Sequence, residues 1–304
     1  MKGREKVKKS VLLIALILVI SVVATGCGSF DFGETGGYIV TPKEAMDMVK
    51  EGAILVDAES PETYGLAHID GAVNIPMSEL VVNEPYANML APADQIAQCL
   101  GAAGISENDT LLVYDNTSNM KAARILWTLN MYGNFNVYVV SGGFEALKAK
   151  GAETSMVATE LPATTYNTGE VQKNLIVSLD YLKSQLNMPE EDTVIIDTRS
   201  YEEYMAGTIP GSVHIEYTWN NYATGEYKSV RDLQIVYIEK GIRPEMKLIL
   251  FCKTSVRAAQ TYAALKDAGY KDVRIYDGAW LEYEAVENPE PPSESTPPSQ
   301  QDAS

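Results

Sequence analysis

One cysteine in this 304-residue sequence sits where a thiol could do chemistry. It is Cys252, in the run Cys252-Lys253-Thr254-Ser255-Val256-Arg257. The largely apolar run Lys247–Phe251 before it reads as a buried strand. The residues from Ser255 or Val256 to Ala268 read as a helix, with Gly269 as its stop. The loop thus joins a strand end to a helix start, which is where open α/β sheets bind ligands. Three effects there favour negative charge on sulfur: the positive end of the helix dipole, a nest of loop N–H groups, and the cations of Lys253 and Arg257. The implied chemistry is nucleophilic attack by a thiolate.

The rest of the sequence narrows what that thiolate can do. A cysteine protease needs a histidine base. The two histidines, His68 and His214, have no clear claim on Cys252. No Cys-x-x-Cys pair offers disulfide exchange or a zinc site, and no Gly-x-x-x-x-Gly-Lys loop offers a nucleotide site. Neither cofactor nor metal is expected. Attack on a phosphoester and transfer of sulfur remain open, because both use an activated thiolate ringed by N–H donors.

The elements that must position the loop appear twice. Ile54-Leu55-Val56-Asp57 answers to Val194-Ile195-Ile196-Asp197, and Tyr64, Ile69 and Gly71 answer to Tyr204, Ile209 and Gly211. Leu111-Leu112-Val113-Tyr114-Asp115 answers to Leu248-Ile249-Leu250-Phe251-Cys252, so Asp115 stands in the first copy where Cys252 stands in the second. A period near 140 residues is too long for a solenoid and means two copies of one domain. Each copy alternates strand and helix, with short apolar runs such as Thr193–Ile196 and Val273–Tyr276 and a helix from Leu179 capped by Ser178. The expected class is α/β, two domains each with an open, mostly parallel sheet covered by helices on both faces. Residues 38–151 and 174–286 form the two domains, and residues 152–173 read as a surface linker without clear period. Residues 287–304, rich in Pro, Ser and Glu, read as a disordered tail.

Composition bounds the partners. Hydrophobic residues make up 46% and charged residues 21%, which suits folded cores. The formal net charge of -17 argues against nucleic acid, whose binding needs Lys and Arg on phosphates. At the N-terminus, basic Lys2–Lys9 precedes an apolar run, Val11–Ala24, shorter than the ~20 residues of a membrane span. Residues 1–26 therefore read as a signal peptide and 27–37 as a Gly-rich tether. Ala24-Thr25-Gly26-Cys27 resembles the bacterial lipobox, although Ala24 stands where that pattern usually has Leu. The resemblance implies cleavage before Cys27, a lipid on Cys27, and a chain anchored at the extracytoplasmic face of the cell membrane. Cys99, in the helix-like Gln95–Leu100 before Gly101, reads as a packed free cysteine. Its place in the other copy argues against a disulfide with Cys252.

Taken in order, these residues resemble the rhodanese family. Ala67-His68-Ile69-Asp70-Gly71-Ala72-Val73-Asn74-Ile75-Pro76 is similar to the motif near the start of that domain, with Asp197-Thr198-Arg199 and Gly207-Thr208-Ile209-Pro210-Gly211-Ser212-Val213 as its second-copy counterpart. Cys252–Arg257 resembles the family's active-site loop, and Val273–Trp280 its closing strand and aromatic. The resemblance implies a tandem thiosulfate or 3-mercaptopyruvate sulfurtransferase, with a small-molecule sulfur donor and a thiol or cyanide as acceptor. Cys252 would carry the sulfur as a persulfide. The loop N–H groups, Val256 included, and the Thr254 and Ser255 hydroxyls would hold its charge, and Lys253 and Arg257 would hold an anionic donor. Asp115 marks the first domain as the inactive copy, serving to pack against the second and wall its cleft.

Two departures leave the donor open. The loop is neither doubly basic after Cys252 nor Gly-rich, and Glu203 stands where thiosulfate and mercaptopyruvate enzymes usually carry a second arginine. A carboxylate there is expected to weaken binding of small dianions. Arg199 reads as structural. Phosphatases of related fold resemble Cys-x-x-x-x-x-Arg, with five intervening residues where this loop has four. A phosphatase or arsenate reductase, and a non-catalytic persulfide or redox sensor, are the alternatives.

Overall fold

The computed structural model describes residues 36–287. The signal segment, Cys27, the tether up to residue 35 and the tail from residue 288 lie outside the described residues. Ten strands form two parallel five-stranded sheets. The first contains β1 (Ile39–Val40), β2 (Ile54–Asp57), β3 (Val73–Asn74), β4 (Leu111–Tyr114) and β5 (Val137–Val140), in the order β1-β5-β4-β2-β3. The second contains β6 (Ile176–Val177), β7 (Thr193–Asp197), β8 (Val213–His214), β9 (Lys247–Phe251) and β10 (Asp272–Tyr276), in the order β6-β10-β9-β7-β8. The two orders are the same, as the repeat requires. Every pairing inside these sheets is parallel.

Alternation along the strands fixes the helices to two faces. In the first domain Val56, Leu111, Val113, Val137 and Val139 face α3 (Ala93–Ala102) and α4 (Met120–Met131). Leu55, Leu112, Tyr114 and Val140 face α1 (Pro42–Lys50) and α5 (Gly143–Ala149); the short α2 (Pro61–Leu66) follows β2. In the second domain Ile196, Leu248, Leu250, Val273 and Ile275 face α8 (Val230–Ile238) and α9 (Val256–Asp267). Ile195, Ile249, Phe251 and Tyr276 face α6 (Leu179–Asn187) and α10 (Ala279–Glu287), while α7 (Tyr201–Ala206) follows β7. Local sequence starts these helices where expected. Ser178 accepts from Tyr181 N–H, and Ser200 forms a reciprocal capping box with Glu203.

The domains share one core. Helices α4 and α9 are buried nearly all round, and their apolar residues join a single cluster spanning both sheets. A helix buried on every side must lie between layers rather than on a surface. Among the described residues no helix is long and apolar enough to cross a membrane.

One local expectation is corrected and one extended. Gly101 does not stop its helix, which continues to Ala102. A Cβ at Gly101 would lie 2.8 Å from the Thr164 carbonyl oxygen, and the Thr164 N–H donates to the Gly101 carbonyl at 2.9 Å. The glycine admits a crossing chain, and the turn comes at Gly104, with φ +80°. That crossing chain is the linker, which lies on the surface as expected but is fixed there by hydrogen bonds to the first domain. Thr154–Ser155 pairs antiparallel with His68–Ile69, Gly169 and Gln172 donate to the Tyr132 and Met131 carbonyls at 2.8 Å, and Tyr166 is buried.

Candidate active site

Cys252 directly follows β9 and is 1% exposed. The chain turns into α9 through Ser255, whose φ of +64° lies in the left-handed region. That conformation costs a non-glycine residue on the order of 1 kcal/mol or more. Ser255 offsets it by donating its hydroxyl to the carbonyls of Tyr276 (2.9 Å) and Asp277 (3.0 Å), which ties the loop to the end of β10. This corrects one expectation: the Ser255 hydroxyl is committed to carbonyls and does not hold charge on the sulfur. Thr254 Oγ1 accepts from Asn88 Nδ2 at 3.2 Å. Trp280 N–H donates to the Cys252 carbonyl at 2.9 Å, and Thr198 donates through both N–H and Oγ1 to Phe251 at 3.0 Å. The cysteine backbone is therefore fixed from three elements.

Arg257 lies one residue into α9 and is gripped at both Nη atoms by Glu203, at 2.5 and 2.8 Å. Burial works to lower the affinity of this guanidinium for its proton, but Glu203 and the nearby Cys252 sulfur outweigh it and hold the group above its ordinary value. The same hydrogen bonding from Arg257 lowers Glu203 to about 2. The pair is thus intact at any pH above the carboxylate range. Glu203, expected to weaken binding of small dianions at the cleft mouth, lines the cleft and is held by Arg257 and the Ser200 cap. Arg199, read from sequence as structural, is held by its neighbours and also lines the cleft beside the loop. It forks onto Asp197 at 3.0 and 2.7 Å, donates to the Gly207 carbonyl at 2.6 Å, and lies 4.4 Å from the Trp280 ring centroid.

A cleft of about 210 Å³ opens beside the loop, lined by Arg199, Glu203, Ala206, Gly207, Lys253, Trp280 and Glu284. Lys253 is exposed at its edge, whereas Cys252 and Arg257 are not part of the lining. A larger cleft, about 610 Å³ between α2, β3 and the linker, contains none of the candidate residues. Neither histidine is hydrogen-bonded to Cys252. His214 Nε2 meets the Arg199 carbonyl at 2.8 Å, and His68 lies between the Tyr64 and Val157 carbonyls at 2.9 and 3.2 Å.

The first domain shows what occupies its copy of the loop. Asp115 is fully buried, and its carboxylate accepts from the N–H groups of Thr117 (2.8 Å), Asn119 (3.0 Å) and Ala122 (2.9 Å). Burial pushes the carboxyl above its ordinary value, opposed by these donors. The side chain fills the anion cradle that its own loop builds. Five residues, Asp115–Asn119, separate β4 from α4, against the four of Cys252–Ser255 between β9 and α9. The extra residue puts Lys121 in register with Arg257, and Lys121 is ion-paired to the buried Glu59. Introducing a thiol by Asp115→Cys is accordingly expected to create no second sulfur carrier. Tested beside Cys252→Ser, the double variant should take up no sulfur from thiosulfate by mass spectrometry; uptake at the wild-type rate would contradict the reading.

The first domain also reaches into the second. Arg124, 0% exposed, donates to Asp277 at 2.9 Å and to the Asn88 carbonyl at 2.7 Å; Asp277 in turn accepts from Leu90 N–H at 2.7 Å. Asn88 and Arg124 were not identified from sequence. Arg124 left one signal, as the only charge within the otherwise uncharged run Ala122–Met131. Reciprocally, Asn119 of the silent loop donates to the Gly225 carbonyl of the second domain at 2.9 Å.

Comparison with known proteins agrees with this geometry. The rhodanese-like domain family matches residues 41–150 and again residues 178–286. A probable 3-mercaptopyruvate sulfurtransferase of Schizosaccharomyces pombe is 27% identical over 84% of this chain and 95% of its own. A thiosulfate sulfurtransferase of Corynebacterium glutamicum is 27% identical over 72% of this chain and 78% of its own. Among solved structures, the 3-mercaptopyruvate sulfurtransferase SseA of Escherichia coli aligns with a TM-score of 0.72 at 25% identity, over 81% of this chain and 99% of SseA. With four of the five strands of each sheet and both strand-to-helix loops inside the matched segments, the chain belongs to the rhodanese-like family as a tandem of two such domains.

Proposed function

We propose that this protein is a sulfurtransferase that moves a sulfane sulfur from a donor such as thiosulfate or 3-mercaptopyruvate to a thiol or cyanide, through a persulfide on Cys252. The Cys252 thiolate attacks the outer sulfur of the donor. With thiosulfate a new S–S bond forms at Cys252, the donor's S–S bond breaks, and sulfite leaves with the electron pair. The acceptor then attacks the terminal sulfur, and Cys252 departs as thiolate. The observation that carries this reading is the fixed placement of the cysteine between a strand end and the N-terminus of α9, beside Arg257. Lys253 at the cleft edge meets an incoming anion, and loop N–H groups hold charge on the outer sulfur. Thiosulfate and 3-mercaptopyruvate, each with cyanide, test it. Thiocyanate should accumulate in proportion to sulfite or pyruvate, and consumption of donor without thiocyanate would point to a different reaction.

The same proposal extends to location. The junction Ala24-Thr25-Gly26-Cys27 supports lipidation of Cys27 and anchoring at the extracytoplasmic face of the cell membrane. Cys27→Ala is expected to move the protein from the membrane fraction to the soluble one, or to leave its precursor unprocessed. An unchanged fraction of processed protein at the membrane would assign anchoring to another segment.

A further inference from the structure

Every cation in or behind the cleft beside Cys252 has an acid at hand. Arg199 is forked onto Asp197, and Arg257 is forked onto Glu203. Lys253 lines the cleft with Glu284. The formal charge of these six groups sums to zero before the thiolate is counted. A dianion such as thiosulfate therefore meets a negative sulfur with the exposed Lys253, balanced in formal charge by Glu284, as the one cation not forked onto an acid among these groups. The walls add to this bias. Trp280 lines the cleft, and next to the Glu203 helix an aromatic group surrounds His214, with Tyr204 stacked at 4.9 Å and Tyr201 and Trp219 at 5.8 and 6.0 Å. Tyr201 and Trp219 are exposed, and of these aromatic groups Trp280 is the one that lines the cleft. Aromatic faces attract organic and cationic groups and give an inorganic dianion nothing.

We infer that Glu203, by occupying Arg257, sets the donor preference of Cys252 toward small organic persulfides bearing a neutral or cationic group and away from thiosulfate. The inference rests on Cys252 as the sulfur carrier. Glu203 acts here as a specificity-determining residue through Arg257, without touching the reacting atoms.

Glu203→Gln tests it with little disturbance. Glutamine keeps the capping-box role at this helix position and can keep one hydrogen bond to Arg257, while one negative charge is removed. The probes are thiosulfate and cysteamine persulfide, whose ammonium balances its own sulfur charge, each with cyanide as acceptor. The variant should lower KM for thiosulfate about 5-fold at low salt, with kcat little changed, and the gain should shrink at ~1 M salt, where the Debye length is ~3 Å. KM for cysteamine persulfide should stay or rise. Equal changes for both donors, or none for thiosulfate, would overturn the inference. Should the variant fail to fold, the wild-type protein decides: raising salt should lower KM for thiosulfate relative to cysteamine persulfide, and the opposite trend overturns the idea. Mass spectrometry of Cys252 separates the two levels of failure. Sulfur on Cys252 with the wrong donor trend defeats this inference alone; no sulfur on Cys252 from either donor or from 3-mercaptopyruvate defeats the proposed function and this inference with it.

Discussion

Replacing Cys252 with serine is expected to lower kcat/KM for sulfur transfer by at least about 10³-fold, to the background rate. Serine is close in size, but its hydroxyl stays protonated at neutral pH and cannot carry a persulfide. Stability should change little, on the order of 1 kcal/mol. The side chain is small, and the fold around it is held by hydrogen bonds that do not use the sulfur: Trp280 N–H to the Cys252 carbonyl, Thr198 N–H and hydroxyl to the Phe251 carbonyl, and the Ser255 hydroxyl to the Tyr276 and Asp277 carbonyls. Thiocyanate formation and a urea melt, measured on the same preparation, separate the two effects. Retained turnover in a folded variant would remove Cys252 from the mechanism.

The second large effect is expected far from the reacting sulfur. Arg124→Met should cost about 3–5 kcal/mol, a large share of the ~5–15 kcal/mol that holds a domain folded. The substitution leaves Asp277 buried, with Leu90 N–H still bound but its cationic partner gone. It also frees the Asn88 carbonyl, whose residue supports Thr254 in the active loop. Activity should therefore fall along with stability. Adding Asp277→Leu should recover part of the loss, because the stranded charge goes with it. A single variant that melts within about 1 kcal/mol of the wild type would show that this buried pair contributes nothing net.

Much of the second domain was legible because its signals are local. The apolar run Lys247–Phe251, the charged loop after it and the following helix each occupy consecutive residues, and the structure places β9 and α9 there. Asp115 at the position of Cys252 was legible in the first copy, although not the way its carboxylate fills the cradle. What stayed hidden are contacts between distant residues. Glu203 and Arg257 lie 54 positions apart, and Arg124 and Asp277 lie 153 apart. Neither pair leaves a periodic trace. Gly101 misled for a related reason. A glycine near a helix end reads as a stop, yet this one makes room for Thr164, 63 residues on, and only the folded chain shows that neighbour. The linker lacks a repeating pattern because its order comes from hydrogen bonds to the first domain rather than from a buried stripe of its own.

The most direct measurement is intact and peptide mass spectrometry of the protein after brief exposure to thiosulfate, 3-mercaptopyruvate or cysteamine persulfide, before and after cyanide. Two described cysteines compete, and both are free thiols. Burial, followed by nearby Glu79, pushes Cys99 up to about 11, so it stays a thiol at neutral pH and is a poor nucleophile. The expected result is one added sulfur atom on the peptide containing Cys252, none on that containing Cys99, and complete discharge by cyanide. Sulfur on Cys99 in place of Cys252, or a sulfur on Cys252 that cyanide does not remove, would contradict a persulfide cycle at Cys252.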